Sequence, residues 1–433
     1  MNKKKNLFWF RRDLRLNDNR GLYEALIADK EVLPIFIFDQ EILNKLPKDD
    51  ARISYIHQEL ENINKQLNEI GSSLTVCIGR PNEVFSALSK KHEIDTVLCN
   101  HDYEPYAIQR DQEIKELLSS KNIGFKSYKD QVIFERNEIT KKDGTPYKVY
   151  TPYSKKWLEA FEINGIQYFP SEDNLTKCIK KDFNQLPTLA EIGFKKSSIK
   201  VASYKVSSKL IDTYEETRNF PAKNSTSRLG THLRFGTVSV RKMVEKAAKS
   251  NNITFLKELI WREFFMQILW HFPQTTKHSF KPKYDRILWK NNENDFEAWC
   301  KGKTGYPLVD AGMRELNQTG FMHNRVRMLV GSFLCKHLLI DWRWGEAYFA
   351  EKLHDYEQSS NVGNWQWVAG CGVDAAPYFR IFNPTTQIQK FDKELNYIQK
   401  WVPEFQELTY DSPIVEHKFA RERCLKTYKE ALL

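Results

Sequence analysis

The chain has 433 residues, of which 41% are hydrophobic and 28% charged, and its formal net charge is +10. This balance excludes intrinsic disorder, collagen and coiled coils, and the length predicts two or three domains. The sequence has no run of about 20 apolar residues that could cross a bilayer, and we expect no cleavable signal peptide. Its seven cysteines are scattered without pairing or metal spacing, so we expect a soluble cytoplasmic protein with reduced thiols and no metal site.

Short apolar runs alternate with helical stretches through the first part of the chain. The periodicity predicts helices over residues 51–70 and 106–119, and strands over residues 6–10, 32–38, 74–78, 96–99 and 125–128. Runs of this length, bounded by turn residues, are typical of buried strands in a doubly wound parallel sheet. We therefore predict an α/β domain over residues 1–130. The dinucleotide signature G-x-G-x-x-G does not follow the first strand.

The composition changes in the middle of the chain. Residues 171–208 are rich in Lys, Ser and Asn and have weak periodicity, which indicates a long surface linker within a connector over residues 131–208. From about residue 209 the pattern becomes helical, and nine of the 11 tryptophans lie beyond residue 200. The second domain, residues 209–433, is therefore predicted to be large and all-α.

The first segment that carries chemistry is a predicted helix over residues 255–272. Spacing of three and four residues puts a carboxylate, an indole, a guanidinium and a phenyl ring on one face: Glu258, Trp261, Arg262 and Phe265. Such a face can stack on aromatic rings and bind phosphates. The alternative is an exposed face with a Glu258–Arg262 ion pair, which is common on helices.

A second such face lies within residues 320–340. Helical spacing there groups an amide, an arginine, a thioether and a glycine: Asn324, Arg327, Met328 and Gly331. The amide and the glycine would let a planar polar ring approach the backbone. Arg325 projects separately and could reach a phosphate. The alternative is a surface turn followed by a core helix.

Two further segments combine polar groups with turn formers. Residues 226–230, Thr-Ser-Arg-Leu-Gly, offer hydroxyls and backbone N–H groups at a predicted helix start, which suits either a phosphate cradle or simple capping. Ser239 is the predicted N-cap of the next helix. Residues 352–383 fit neither a helix nor a strand, so we expect a functional loop there. The alternative is that Trp365 and Trp367 simply anchor this segment in the core.

The motifs of several enzyme classes are absent. The sequence contains no Ser–His–Asp spacing, no H-E-x-x-H, no Walker A loop and no paired-carboxylate signature, so hydrolysis and phosphoryl transfer lack a visible site. An aromatic, cationic cleft instead favours chemistry supplied by a planar cofactor, with tryptophans as electron relays.

Six long motifs occur in the order of a known family. They are WFRRDLRLNDN (9–19), TSRL (226–229), ELIWREFF (258–265), GKTGYPLVDAGMREL (302–316), MHNRVRM (322–328) and GNWQWVAGCGVDAAPYFRIFNP (363–384). Together they resemble the photolyase/cryptochrome family from about residue 6 to about residue 405. The resemblance implies an N-terminal α/β domain that binds an antenna chromophore, a long connector and a helical FAD-binding catalytic domain.

Within that family, the chain most resembles class I cyclobutane pyrimidine dimer photolyases. Asn324 and Met328 match that class, whereas (6-4) photolyases have histidines at both positions. Trp367 stands where DASH-type cryptochromes usually have tyrosine, Asn361 matches the asparagine beside flavin N5, and we expect no signalling tail. The resemblance implies light-driven repair of cyclobutane dimers in UV-damaged DNA. The alternatives are a non-enzymatic blue-light photoreceptor and a (6-4) lyase.

The same resemblance implies one FAD per chain. Its phosphates, ribityl chain, adenine and isoalloxazine would be held by Tyr214, Thr226, Ser227, Arg228, Leu229, Gly230, Glu258, Arg262, Asn324, Arg327, Asp355, Glu357 and Asn361. Two positions depart from the family pattern. Glu357 stands where a second aspartate is usual, and Gly230 stands where many relatives have serine. We expect flavin binding to survive both changes.

For the substrate, the resemblance implies a pyrimidine dimer flipped out of the duplex into the cleft. The catalytic residues would be Glu258, Trp261, Asn324, Met328 and Trp367, and the DNA contacts would be Glu258, Trp261, Arg262, Phe265, Asn324, Arg325 and Arg380. Photoexcited FADH⁻ would donate an electron that splits the cyclobutane ring and then returns. A protonated or proton-sharing Glu258 would stabilise the dimer's negative charge. Photoreduction would run through Trp365, Trp342 and Trp289.

An antenna chromophore is also implied near residues 100–104, Asn-His-Asp-Tyr-Glu, at the end of a predicted strand. Asn100 and Glu104 would contact a folate, although a deazaflavin, a second flavin or an empty site fits as well. The alternative is an ordinary strand-to-helix loop. We expect the protein to act as a monomer on damaged DNA, without a membrane partner.

Overall fold

The structure is a computed structural model that describes residues 4–180 and 185–433. Its residues pack into two compact units. The first consists of Met1–Glu135, Glu159–Ala202 and Leu229–Lys249, and the second of Arg136–Leu158, Ser203–Arg228 and Ser250–Leu433. The bounds of these units differ from those of the predicted domains, 1–130, 131–208 and 209–433, and those domain spans stay a prediction. Residues 1–3 of the first span and residues 181–184 of the predicted linker lie outside the described residues.

The first unit is built on a parallel sheet. Its described strands are β1 (Lys5–Phe10), β2 (Val32–Asp39), β3 (Thr75–Gly79), β4 (Ile94–Asn100) and β5 (Gly124–Tyr128), in the order β3-β2-β1-β4-β5. Every pair is parallel and the order reverses beside β1, which confirms the predicted doubly wound sheet. Phe8 and Phe10 pack into one core while Leu7 and Trp9 pack into another, because both faces of the sheet are covered.

Helices make up the remaining regular structure. In chain order the described α-helices are α1 (Arg20–Ile27), α2 (Gln40–Leu43), α3 (Ala51–Glu69), α4 (Pro81–Lys91), α5 (Pro105–Ser119), α6 (Tyr150–Asn164), α7 (Ser208–Asp212), α8 (Tyr214–Thr217), α9 (Gly230–Arg234), α10 (Val240–Ala248), α11 (Thr254–His271), α12 (Glu293–Lys301), α13 (Pro307–Thr319), α14 (Asn324–Ser332), α15 (Trp342–Lys352), α16 (Gln358–Ala369), α17 (Pro384–Phe391), α18 (Asn396–Trp401) and α19 (His417–Leu432). Short 3-10 helices span Ser171–Lys177, Pro273–Thr276 and Pro282–Arg286, and a π-helix spans Phe333–His337. The second unit is mostly helical, as predicted. Among the described helices, none is long and apolar enough to cross a membrane.

The charged motif that follows β1 is part of a buried ion network in the first unit. Asp130 accepts hydrogen bonds from Arg15 (Nη2–Oδ2 2.7 Å) and from Arg241 (Nη2–Oδ1 2.7 Å). Burial alone would raise the pKa of Asp130, but the two guanidiniums lower it to about 2. Arg241 also pairs with Asp18 at 2.8 Å. The loop after β1 is therefore tied to α10, whose N-cap is Ser239 as predicted.

The prediction of an irregular loop over residues 352–383 is wrong for residues 358–369, which form α16. The Ser, Asn and Gly residues of this helix have weak helix propensity, and its buried positions do not form one stripe, so no amphipathic pattern marks it. Packing stabilises it instead. A Cβ added at Gly363 would overlap the Phe265 ring of α11, so the glycine permits the close contact of the two helices. Residues 370–383 are irregular, as expected.

Acid should weaken the fold through a buried histidine in the π-helix. His337 is 1% exposed, and burial together with His417, Arg423 and Lys336 lowers its pKa to about 3. The unfolded chain, with an ordinary histidine pKa of 6.5, binds this proton first. The contribution of neutral His337 to the free energy of unfolding is therefore complete above pH 6.5, and it is lost as the pH falls toward 3. Between pH 7 and pH 5, the free energy of unfolding should drop by about 2 kcal/mol more in the wild type than in H337Q, as urea titrations would measure.

The matched control for this experiment is H278Q, which alters a histidine whose side chain is 67% exposed. It reports what the loss of a surface imidazole does to the same titration. Parallel free energies of unfolding for the wild type and H337Q between pH 5 and pH 7 would contradict the prediction.

Candidate active site

The second unit contains a cavity of about 420 Å³. Helices α11, α14 and α16 provide most of its walls, together with the segment 353–357. The volume is within the range of small-molecule and cofactor sites. The lining combines aromatic, cationic, acidic and amide side chains: Arg218, Glu258, Trp261, Arg262, Phe265, Asn324, Arg327, Met328, Gly331, Phe349, Leu353, Asp355, Tyr356, Glu357, Ser360, Asn361, Asn364, Trp365, Trp367 and Val368.

Helix α11 contributes the face that its spacing predicts, because Glu258, Trp261, Arg262 and Phe265 all line the cavity. Glu258 accepts a hydrogen bond from Arg218, with Nη1 and Oε1 2.5 Å apart. Arg262 pairs with Glu357 at 3.4 Å. Each of these two carboxylates therefore meets a guanidinium at the cavity wall.

Helix α14 contributes the second predicted face: Asn324, Arg327, Met328 and Gly331 line the cavity. His323 caps this helix, because its Nδ1 accepts the backbone N–H of Arg325 at 3.2 Å. Burial and the neighbouring guanidiniums lower the pKa of His323 to about 4, which keeps Nδ1 available as an acceptor at neutral pH. Arg327 binds Asp355 through two hydrogen bonds, Nη1–Oδ1 at 3.2 Å and Nη2–Oδ2 at 2.9 Å.

Helix α16 contributes Asn361, Trp365 and Trp367. The Asn361 amide donates to Glu346 Oε1 at 2.9 Å, which fixes its orientation. Trp365 is 3% exposed and packs edge-on against Phe349, with ring centroids 5.0 Å apart. This helix therefore brings one tryptophan of the predicted electron path to the cavity.

The other two tryptophans of that path lie away from the described cavity lining. Trp342 begins α15 and is 1% exposed. Trp289 is half-buried and meets Tyr428 at a right angle, with ring centroids 6.0 Å apart. Both belong to the second unit, as Trp365 does.

The predicted DNA contacts Arg325 and Arg380 also lie outside the described lining of the cavity. Arg325 donates to Asn219 Oδ1 at 2.6 Å, and its guanidinium lies 4.4 Å from the centroid of the Phe391 ring. Arg380 is exposed in the irregular segment 370–383, and its carbonyl accepts a hydrogen bond from the buried Lys336 ammonium at 2.8 Å. Arg380 therefore presents a cationic side chain to solvent.

The predicted phosphate cradle, residues 226–230, is a turn that leads into α9. Thr226 and Ser227 precede Arg228, whose φ of +52° is left-handed, and Leu229 follows with a right-handed φ of −74°. Gly230 then begins α9. Tyr214, earlier in the chain, packs edge-on against Phe255 at 5.2 Å.

The predicted antenna residues make contacts inside the first unit. Asn100 is 3% exposed and donates to Asp13 Oδ2 at 2.5 Å. Glu104 forms ion pairs with Arg234 at 2.7 Å and with Arg12 at 3.2 Å. A chromophore at these side chains would have to replace those partners.

Among the residues that the sequence did not predict, two contact predicted residues of the cavity. Arg218 lines the cavity and binds Glu258. Tyr150 stacks on the cavity residue Trp261, with ring centroids 3.7 Å apart. Neither residue sits in a motif with a recognisable period, because both meet their partners from distant parts of the chain. Only a cue for long-range contact could have identified them.

Comparison with known families gives two matches along the chain. Residues 6–173 match the model of DNA photolyase, and residues 255–409 match the model of the FAD binding domain of DNA photolyase. The deoxyribodipyrimidine photo-lyase of Agrobacterium fabrum is 35% identical, and the alignment covers 98% of this chain and 97% of that protein. The deoxyribodipyrimidine photo-lyase of Escherichia coli is 33% identical, with 98% of each chain covered.

Solved structures of similar proteins have the same overall architecture. A bacterial class III photolyase from Agrobacterium tumefaciens is 33% identical with a TM-score of 0.88, over 100% of this chain and 98% of that one. An archaeal photolyase from Sulfolobus tokodaii with two FAD molecules is 35% identical with a TM-score of 0.83, over 98% and 100%. A Synechocystis cryptochrome is 25% identical, also with a TM-score of 0.83, over 99% and 100%.

Proposed function

The chain belongs to the DNA photolyase family, and on that premise we propose that it uses light to split cyclobutane pyrimidine dimers in UV-damaged DNA. Family membership makes it an FAD-dependent enzyme of DNA photorepair. One observation supports the choice of lesion. Glu258, Trp261, Asn324, Met328 and Trp367 face a single cavity, and the described lining contains no histidine of the kind that (6-4) repair requires.

FAD, when bound, supplies light absorption and the transferable electron. The cavity suits such a cofactor, because its polar groups are already oriented by Asn361–Glu346 and Arg327–Asp355 contacts and Gly331 leaves room beside them. The hydroxyls of Thr226 and Ser227 and the guanidinium of Arg228 are groups that can bind a phosphate. We assign cofactor binding to Tyr214, Thr226, Ser227, Arg228, Leu229, Gly230, Glu258, Arg262, Asn324, Arg327, Asp355, Glu357 and Asn361.

We assign recognition of the lesion to the aromatic and polar walls. Trp261 and Trp367 offer flat apolar surfaces on which a flipped pyrimidine dimer would stack, and Met328 offers an adaptable apolar contact. Arg262, Arg325 and Arg380 would neutralise DNA phosphates, the part of the affinity that salt weakens. Phe265 and Asn324 complete the proposed contact surface.

Glu258 has a specific task in this proposal. It stabilises negative charge on the dimer by donating a hydrogen bond, which requires it to hold or share a proton. In the structure its Oε1 accepts a hydrogen bond from Arg218. The proton donated to the dimer would therefore sit on Oε2, while Oε1 keeps the hydrogen bond from Arg218.

We also propose that the protein acts as a monomer in the cytoplasm. Cys335, Cys371 and Cys424 are buried free thiols. Burial raises the pKa of the Cys371 and Cys424 thiols to about 12, so they remain protonated and unreactive. Such thiols are typical of a reducing compartment.

A repair assay tests the proposed function directly. Reduced holoenzyme is mixed with an oligonucleotide that carries one thymine cyclobutane dimer, illuminated with blue light, and compared with a dark control. We expect intact thymines to be recovered only in the light, as chromatography of the products would measure. Flavin that is bound and photoreducible without any recovery would contradict the proposal and favour a photoreceptor or another lesion.

Replacing Glu258 with alanine should slow repair while FAD stays bound. The loss of one hydrogen bond to the developing charge predicts a decrease on the order of tenfold in the rate of splitting at saturating substrate. Single-turnover repair after a light flash measures this rate, and flavin absorbance measures the bound cofactor. E293A, which removes an acid from the first turn of α12, is the matched control. A wild-type rate in E258A would exclude the assigned role.

Replacing Trp365 with phenylalanine should separate photoreduction from repair. Trp365 is the tryptophan of the proposed path that borders the cavity, with Trp342 and Trp289 beyond it, so W365F should block photoreduction of oxidised flavin. Chemically pre-reduced W365F should still repair, because the path is not used once the flavin is reduced. W270F, on α11 but outside the described cavity lining, is the control. Pre-reduced W365F that repairs nothing would refute the assignment.

A further inference from the structure

Trp261 is covered on one face by another aromatic ring. The Tyr150 phenol lies parallel to the indole, with ring centroids 3.7 Å apart and an interplanar angle of 6°. Aromatic pairs in proteins more often meet offset or edge-to-face, at centroid separations of about 4.5 to 7 Å. The phenol ring therefore stacks face to face on the indole, and the area that it covers is closed to any other partner.

Tyr150 is itself held in place from three directions. Its hydroxyl donates to the carbonyl of Lys257 at 2.8 Å, and its backbone N–H donates to Asp374 Oδ2 at 3.1 Å. Its ring also meets Phe264 edge-on at 5.9 Å. Burial and the charge of Glu258 raise the pKa of the phenol, so the hydroxyl remains a donor over the whole physiological range. The Tyr150 side chain cannot turn without losing its contacts with Lys257 and Phe264.

Among the described residues, two other rings contact the indole at longer distances. Phe264 meets it edge-on at 5.5 Å and Phe265 lies at 5.4 Å with an interplanar angle of 29°. Trp261 is half-buried and lines the cavity. Without the parallel ring, this side chain could rotate into the cavity, and binding would then have to order it again.

We propose that Tyr150 is a positioning residue for lesion recognition, which fixes the plane in which the indole of Trp261 borders the cavity. The inference rests on the proposed role of Trp261 as a surface on which the pyrimidine dimer stacks. Tyr150 acts through Trp261 and does not itself contact the dimer. Its contribution is preorganisation, so its loss weakens binding of the lesion and leaves the rate of splitting at saturation unchanged.

A double-mutant cycle tests this coupling. The variants are Y150L and Y150M, which fill the volume without a planar face, Y150F, which keeps the ring, W261A, and W261A combined with each Tyr150 variant. The dissociation constant of the holoenzyme for a dimer-containing oligonucleotide is measured in the dark, beside the constant for the undamaged oligonucleotide. We expect Y150L or Y150M to weaken lesion binding about fivefold to tenfold, and Y150F to restore it.

Further observations complete the expected result. Affinity for undamaged DNA and flavin content should stay at wild-type values, and the rate of splitting at saturation should not change. In the W261A background, Y150L and Y150M should have no further effect, because the residue that they disorder is gone. Y147L, a neighbour whose ring contacts Tyr153, is the matched control and should bind the lesion like the wild type.

The outcomes that overturn the inference are distinct from those that overturn the proposed function. Equal weakening by Y150L or Y150M with and without Trp261 would show that Tyr150 acts elsewhere, while the role of Trp261 stands. Wild-type lesion binding by W261A would remove the stacking role of Trp261 and the inference with it. Failure of Y150F to restore binding would also refute the inference, because the ring alone is expected to suffice.

Discussion

The close contact between α11 and α16 is the constraint on which the cavity depends. The ring of Phe265 occupies the place that a side chain at position 363 would take, so the two helices approach to a distance that only glycine allows. Phe265 also lies on the face of α11 that carries Glu258 and Trp261. The same contact that stabilises α16, a helix of weak intrinsic propensity, therefore sets the spacing between the two walls of the site.

A second glycine governs the position of Trp365. A Cβ at Gly345 would overlap the indole, so α15 leaves a gap that the tryptophan fills, and Phe349 closes it from the same helix. Trp365 is thereby buried in the core while one edge reaches the cavity. Core packing and the proposed electron transfer both require Trp365 to be rigid, because an electron relay must stay close to its partner. The same tryptophan can therefore serve the core and the electron path.

Charge is used differently in the two units. In the first unit, charged residues of the motif after β1 form buried ion pairs such as Arg15–Asp130, and Glu104 forms ion pairs with Arg234 and Arg12. In the second, the pairs Arg218–Glu258 and Arg327–Asp355 face a cavity and are partly exposed. A buried ion pair holds a loop in place, because breaking the pair would leave a buried charge without a partner. An ion pair at a cavity can instead exchange its partner for a ligand.

Local sequence determined the strands, the long helices and two of the three cavity walls. The five apolar runs became the parallel sheet, although the edge strands β3 and β5 are only partly buried. Helical spacing correctly grouped Glu258 with Trp261 and Asn324 with Met328, since periodicity fixes which side chains share a face. Tertiary structure alone decided the rest. Helix α16 forms because Phe265 packs on Gly363, and Arg218 and Tyr150 join the site through partners 40 and 111 residues away in the chain. No local pattern encodes such contacts, because their energy arises only when distant segments meet.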